Sequence, residues 1–183
     1  MERFIEYMRT NYREVFNVNE VDDLPLILLT EVINQSVLRG ATRISVTYDG
    51  KVICVKDNAK PYDDDLEFEV RPRGVGMMDP KRQRLFRLLD RQWGKQPLAT
   101  VNALCKDFTL ISSKGERMKS LVCKDGLVVS NKEEMIGIGD GNMVIMRAFL
   151  FAESLDNDVL EELLEVMEYR LPHVAFQYNR KNQ

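Results

Sequence analysis

The chain has 183 residues, 44% of them hydrophobic, enough to bury a sizeable core and close to the common size of one domain. Its 26 basic and 29 acidic residues nearly balance at a formal net charge of −3, which disfavours an extended nucleic-acid surface. One histidine leaves little for a His-based zinc or nucleophile site, and three scattered cysteines without a Cys-x-x-Cys pair suit a reducing cytoplasm. No stretch approaches the roughly 20 apolar residues that cross a bilayer, and the opening Met1 to Glu6 has no signal-peptide pattern. The expectation is a single cytoplasmic domain over 1–183, with 1–20 as an N-terminal helical segment.

In chain order, Phe4, Ile5, Met8, Tyr12 and Val15 recur near helical spacing, so 4–16 is expected to dock as a first helix. A second helix begins near Leu26. Leu28, Leu29, Val32 and Ile33 make it apolar, while Glu31 and Gln35, four residues apart, share one side. Gly40 ends it. Ile44, Val46 and Tyr48 then alternate with Arg43, Ser45 and Thr47, Asp49-Gly50 supplies a hairpin turn, and Ile53 and Val55 lead a second strand to Asp57-Asn58. An acid closing a buried strand is poised to point into a pocket.

Farther on, Asp63-Asp64-Asp65 could mimic a metal site but reads as a solvent-exposed loop after Pro61-Tyr62. Arg71, Arg73, Lys81, Arg82, Arg84, Arg87 and Arg91 concentrate basic charge over 71–91. That run reads as the solvated face of a helix from Arg82 to Trp93, with a phosphate-facing or partner-facing patch as the alternative. Gly74-Val75-Gly76, upstream of it, reads as a loop turn. Asn102 is expected to pack or cap, and His173, after Pro172, to lie on the surface. Asp158 to Leu171 carries Leu160, Leu163, Leu164 and Met167 on one helical face, and the strand Val174 to Tyr178 follows.

Glu31-Val32-Ile33-Asn34-Gln35-Ser36 ahead of Gly40-Ala41-Thr42, followed by Asp57-Asn58-Ala59-Lys60-Pro61, resembles the two leading motifs of the GHKL superfamily. Its members are gyrase B subunits, the Hsp-ninety chaperones, histidine kinases and mismatch-repair ATPases. The first motif reads Glu-x-x-x-Asn, then Ser or Ala, x, Asp-Ala-Gly-Ala-Thr, and the second reads Asp-x-Gly-x-Gly. The resemblance implies that Glu31 is the general base, that Gln35 stands in for the magnesium-binding Asn, and that Asp57, with Asn58 beside it, receives the adenine amino group.

Downstream residues resemble the gyrase branch. Gln96 to Leu110 is similar to a helix carrying Asn-Ala-Leu that runs into a strand. Thr109 to Ser113 and Met118 to Cys123, joined by Lys114-Gly115-Glu116, are similar to the hairpin that follows it. Gly141-Asn142-Met143-Val144 is similar to a Gly-Thr-x-Val strand whose Thr supports the adenine-binding acid, a hydrogen bond an Asn142 amide also offers. The terminal helix and strand also end the gyrase domain. The implied fold is α+β: a two-layer α/β sandwich of the Bergerat ATP-binding type, with a mixed, mostly antiparallel sheet of about five to eight strands and helices on one face.

The departures bear on chemistry. Leu38-Arg39 replaces Asp-Ala, and Ala59 and Pro61 replace the glycines that let the backbone turn beneath an adenine. Gln35 carries its amide one methylene farther out, and magnesium demands near-octahedral geometry. Only Trp93-Gly94-Lys95-Gln96-Pro97 stands where the family has a lid and a glycine-rich phosphate cradle, leaving Lys95 and the helix start to meet a phosphate. The resemblance therefore implies an ATP-binding domain with Mg²⁺ and weak or absent hydrolysis. The alternative is a nucleotide-free pseudo-ATPase acting as a protein–protein interaction module. A protein partner or a homodimer stays open; a membrane and direct nucleic-acid binding are not expected.

Overall fold

A computed structural model of the chain describes residues 1–16, 23–72, 97–136, 139–149 and 156–180. Strand alternation decides its layering. In β1 (Arg43–Tyr48) Ile44, Val46 and Tyr48 are buried and Arg43, Ser45 and Thr47 are not, and in β2 (Ile53–Asp57) Ile53, Val55 and Asp57 are buried. β3 (Cys105–Lys114) and β6 (Gly141–Ala148) repeat the pattern, with Phe108, Leu110, Val144 and Met146 inward. One face of the sheet therefore lies under helices, and the other, bearing Thr47, Cys54, Thr109 and Ile145, is half-exposed.

The sheet has seven strands among the described residues, in the order β5-β4-β3-β6-β2-β1-β7. Here β4 is Arg117–Lys124, β5 is Leu127–Met135 and β7 is Ala175–Arg180. Every pairing is antiparallel except β1 with β7, which runs parallel. That is the expected mixed, mostly antiparallel sheet with helices on one side.

The helices sit where their apolar faces require. α1 (Glu2–Phe16) buries Phe4, Ile5, Met8 and Tyr12, the face predicted from spacing. Arg9 anchors it by donating to Ala103 O at 2.9 Å and Cys105 O at 2.7 Å while its guanidinium lies 5.0 Å from the centre of the Phe149 ring. α2 (Asp23–Leu38) starts three residues before Leu26, because Pro25 falls in the first turn, where a missing backbone N–H is harmless. It ends at Gly40, whose φ of +86° favours glycine. Farther on, α4 (Pro97–Ala103) leads into β3, and α5 (Asn157–Arg170) buries Leu160, Leu164 and Met167 behind an Asp156 cap.

Two elements escaped the sequence reading. A short α3 (Leu66–Val70) follows the acidic run, with the Asp65 carboxyl capping Glu67 N at 3.0 Å. Asp63, Asp64 and Asp65 are exposed as expected. The other is β5, where most residues of both faces are exposed, so no alternation marks it. The expected Arg82–Trp93 helix, the Gly74-Val75-Gly76 turn and most of the basic run lie outside the described residues. Among the described residues no helix is long and apolar enough to cross a membrane.

Candidate functional site

The buried acid at the end of β2 is held from three directions. Asp57 is 9% exposed. Its Oδ2 accepts from Ser36 Oγ on α2 at 2.6 Å, and its Oδ1 accepts from Ala59 N at 2.9 Å and Asn142 Nδ2 on β6 at 3.0 Å. Ser36 Oγ also lies 3.1 Å from Val32 O, so its single proton goes to the closer carboxyl oxygen. A carboxylate offers about four acceptor positions, so about one remains for an incoming N–H.

The amide of Asn142 is oriented by a chain of donors. Tyr62 N donates to Ser112 Oγ at 2.8 Å, so the Ser112 hydroxyl is left to donate to Asn142 Oδ1 at 2.9 Å. That turns Asn142 Nδ2 toward Asp57, with Lys60 O at 3.3 Å as its second acceptor. Every one of these side chains is buried, and a satisfied buried network fixes one arrangement. Sheet register makes it: Asp57 pairs with Asn142 across β2 and β6, and Ser112 with Asn142 across β3 and β6. Gly141 completes the cradle, since a Cβ there would sit 2.3 Å from Asp57 O.

Glu31 and Gln35 lie half-buried, one turn apart on α2, and Arg39 follows a turn later. Burial raises the Glu31 carboxyl above the ordinary carboxylate range. Tyr62 reaches back to this stripe. Burial pushes its phenol up to about 12, opposed by a hydrogen bond from the Gln35 side chain and by the Arg39 charge. The Arg39 guanidinium stacks 3.7 Å from the centre of the Tyr62 ring and donates to Lys60 O at 3.1 and 2.8 Å and to Pro61 O at 2.8 Å.

Of the residues singled out from sequence, Asp57 and Asn142 are joined directly, Gln35 is linked to them through Tyr62 and Ser112, and Glu31 lies one turn from Gln35 on α2. The Asn58 side chain turns elsewhere: its Oδ1 accepts from Thr42 N and Arg43 N at 2.9 and 2.8 Å, and its Nδ2 donates to Thr42 Oγ1 at 2.9 Å. Lys95 lies outside the described residues. Asn102 packs as expected, its Nδ2 donating to Gly126 O at 2.9 Å. The sequence reading missed Ser112, Tyr62, Arg39 and Gly141 as parts of the site. Ser36 occupied a recognised motif position without a role, and Gly141-Asn142 opening an apolar strand was the only local sign of a close backbone approach. Among the described residues, no group of three or more His, Cys, Asp and Glu side chains could hold a metal ion.

The architecture is that of a two-layer α/β domain whose mostly antiparallel sheet, seven-stranded among the described residues, carries its helices on one face. The same fold occurs in the topoisomerase IV ATP binding domain of Francisella tularensis, solved in complex with a small molecule inhibitor. The TM-score is 0.59 at 19% sequence identity, and the match covers 86% of this chain and 82% of that one. No family model matches the sequence, and no curated protein matches it significantly.

Proposed function

We propose that this chain binds an adenine nucleotide, with the Asp57 carboxyl accepting the exocyclic amine of the base. The observation that carries this reading is the Asp57 cradle: a buried acid, fixed by Ser36, Ala59 and Asn142, with about one acceptor position to spare. Likeness in fold to an ATP binding domain supports it. Gln35 would contribute an amide oxygen to a Mg²⁺ held mainly by phosphates, and Lys95 with the start of α4 would meet the phosphates. Bound Mg²⁺ would neutralise phosphate charge. Asn58 is left to hold the turn after β2, since its side chain is committed to Thr42 and Arg43 and its backbone N–H donates to Arg43 O at 3.3 Å.

Hydrolysis is slow or absent in this reading. Glu31 would orient a water, and burial shifts its carboxyl in the direction that makes it a better base near neutral pH. A cytoplasmic site of action belongs to the same proposal. A second reading, a nucleotide-free interaction module, draws on one observation: Tyr62 fills space beside Gln35.

A thermal shift separates the two. At about ten times its dissociation constant a ligand stabilises the native state by about 1.4 kcal/mol, or about 3–5 °C for a chain of this size. Mg-ATP and a non-hydrolysable analogue should both produce it, and Asp57→Ala should abolish it. No shift at millimolar ligand, with Asp57→Ala melting alike with and without nucleotide, removes the nucleotide reading.

A further inference from the structure

Tyr62 is a large ring in an unusual place for an exposed-loop residue. It follows Pro61 in the segment after β2, yet only 6% of it is exposed. Its hydroxyl meets Gln35 of the Glu31–Gln35–Arg39 stripe, its backbone N–H donates to Ser112, which orients the Asn142 amide on Asp57, and Arg39 covers its ring at 3.7 Å. A planar ring with one polar end therefore sits among the residues assigned above to the nucleotide.

We propose that Tyr62 occupies the base slot of this site as a built-in plug, and that Arg39 is the latch that keeps it there. The inference rests on the nucleotide reading of the Asp57 cradle and adds its regulation. Arg39 closes the site from outside: it stacks on the ring and ties down Lys60 O and Pro61 O, while Lys60 N donates to Arg39 O at 3.2 Å. The backbone beneath the ring is fixed independently, since Tyr62 N is held by Ser112 and Pro61 has a locked φ. Opening is then a rotation of the Tyr62 side chain after Arg39 lifts, with no change in the Ser36–Asp57–Asn142 cradle. A base competes with the ring for one space, so the apparent affinity is the intrinsic affinity multiplied by the open fraction.

Calorimetric titration with Mg²⁺ and a non-hydrolysable ATP analogue tests this on the parent, Tyr62→Leu, Arg39→Ala, and Tyr62→Leu combined with Asp57→Ala. A closed state populated about nine times in ten or more predicts binding tighter by at least about tenfold in Tyr62→Leu. Arg39→Ala, which leaves the ring in place, should tighten binding by less, and the double variant should lose it. Arg39→Ala keeps the test informative should Tyr62→Leu fold poorly. Parent binding that Tyr62→Leu and Arg39→Ala leave equal or weaken overturns the plug and makes Tyr62 a wall of the slot. Absence of binding in the parent and in every variant at millimolar analogue overturns the nucleotide reading itself, and the plug with it.

Discussion

Replacing Gly141 by alanine should cost far more than replacing the other positive-φ glycines, because there the obstacle is backbone. A Cβ on Gly141 would stand 2.3 Å from Asp57 O and 3.4 Å from Asp57 C, where an ordinary contact starts near 3.4 Å. Asp57 and Asn142 are register partners, so relief requires β2 and β6 to part by about 1 Å beside the cradle. The φ of +141° adds strain of about 1–3 kcal/mol for a side chain, and a weakened buried hydrogen bond adds about 1 kcal/mol. The sum is about 3 kcal/mol, or a melting temperature lower by about 6–12 °C. Gly139 (φ +84°) has nothing within 4 Å of such a Cβ, so Gly139→Ala should show strain alone, about 1 kcal/mol. Gly126 is intermediate: its Cβ would meet Ile5 Cδ1 at 2.6 Å, the movable end of a side chain. Urea denaturation at 25 °C on the three variants reads these differences directly. Gly141→Ala falling within about 0.5 kcal/mol of Gly139→Ala would refute the close-approach account.

Asn142→Leu keeps the volume but leaves Asp57 Oδ1 and Ser112 Oγ short of partners in a buried setting, and should lower unfolding free energy by about 2 kcal/mol; a neutral or stabilising result in urea contradicts the network. Glu31 gives a pH dependence of definite sign. Its folded pKa is raised above the ordinary value of 4.5, so the folded state holds the proton longer and stability falls as pH rises from 4.5 through the folded pKa. Glu31→Gln should therefore be more stable than the parent at pH 7 and indistinguishable below about pH 4, as melts across that range will show; equal stability at both ends refutes the burial. For the thiols, burial pushes Cys123 up to about 12 and raises Cys105 further, while Cys54 is half-buried on the open sheet face. At pH 8 a thiol with a pKa of 12 is ionised in about one molecule in ten thousand. A thiol reagent should modify Cys54 first and reach the other two only on unfolding; three equally fast reactions would contradict the packing.

Much of the fold was legible because local rules fix it. The apolar period of 3.6 placed the buried faces of α1 and α5, alternation placed β1 and β2, and Gly40 marked the end of α2 through its backbone freedom. Where the local signal was absent the reading was silent. Strand β5 is exposed on most of both faces and α3 has five residues, too few for a periodic pattern.

In the site, the sequence by itself determined that Glu31 and Gln35 share a helical stripe and that Asp57 closes a strand, since both follow from the geometry of a single element. That Asn142 could support Asp57 was implied by resemblance; only strand order made it so, by laying β6 against β2 across a sequence separation of 85. The same holds for Ser112, which orients that amide from β3, and for Ser36, which donates from α2 to an acid 21 residues away. Tyr62 shows the limit most clearly. Its sequence neighbours describe a polar loop, whereas its burial and its contacts with Arg39 and Gln35 depend on how the loop after β2 folds back over α2. Side-chain periodicity states which way a residue points along its own element, and contact between elements is decided by tertiary packing.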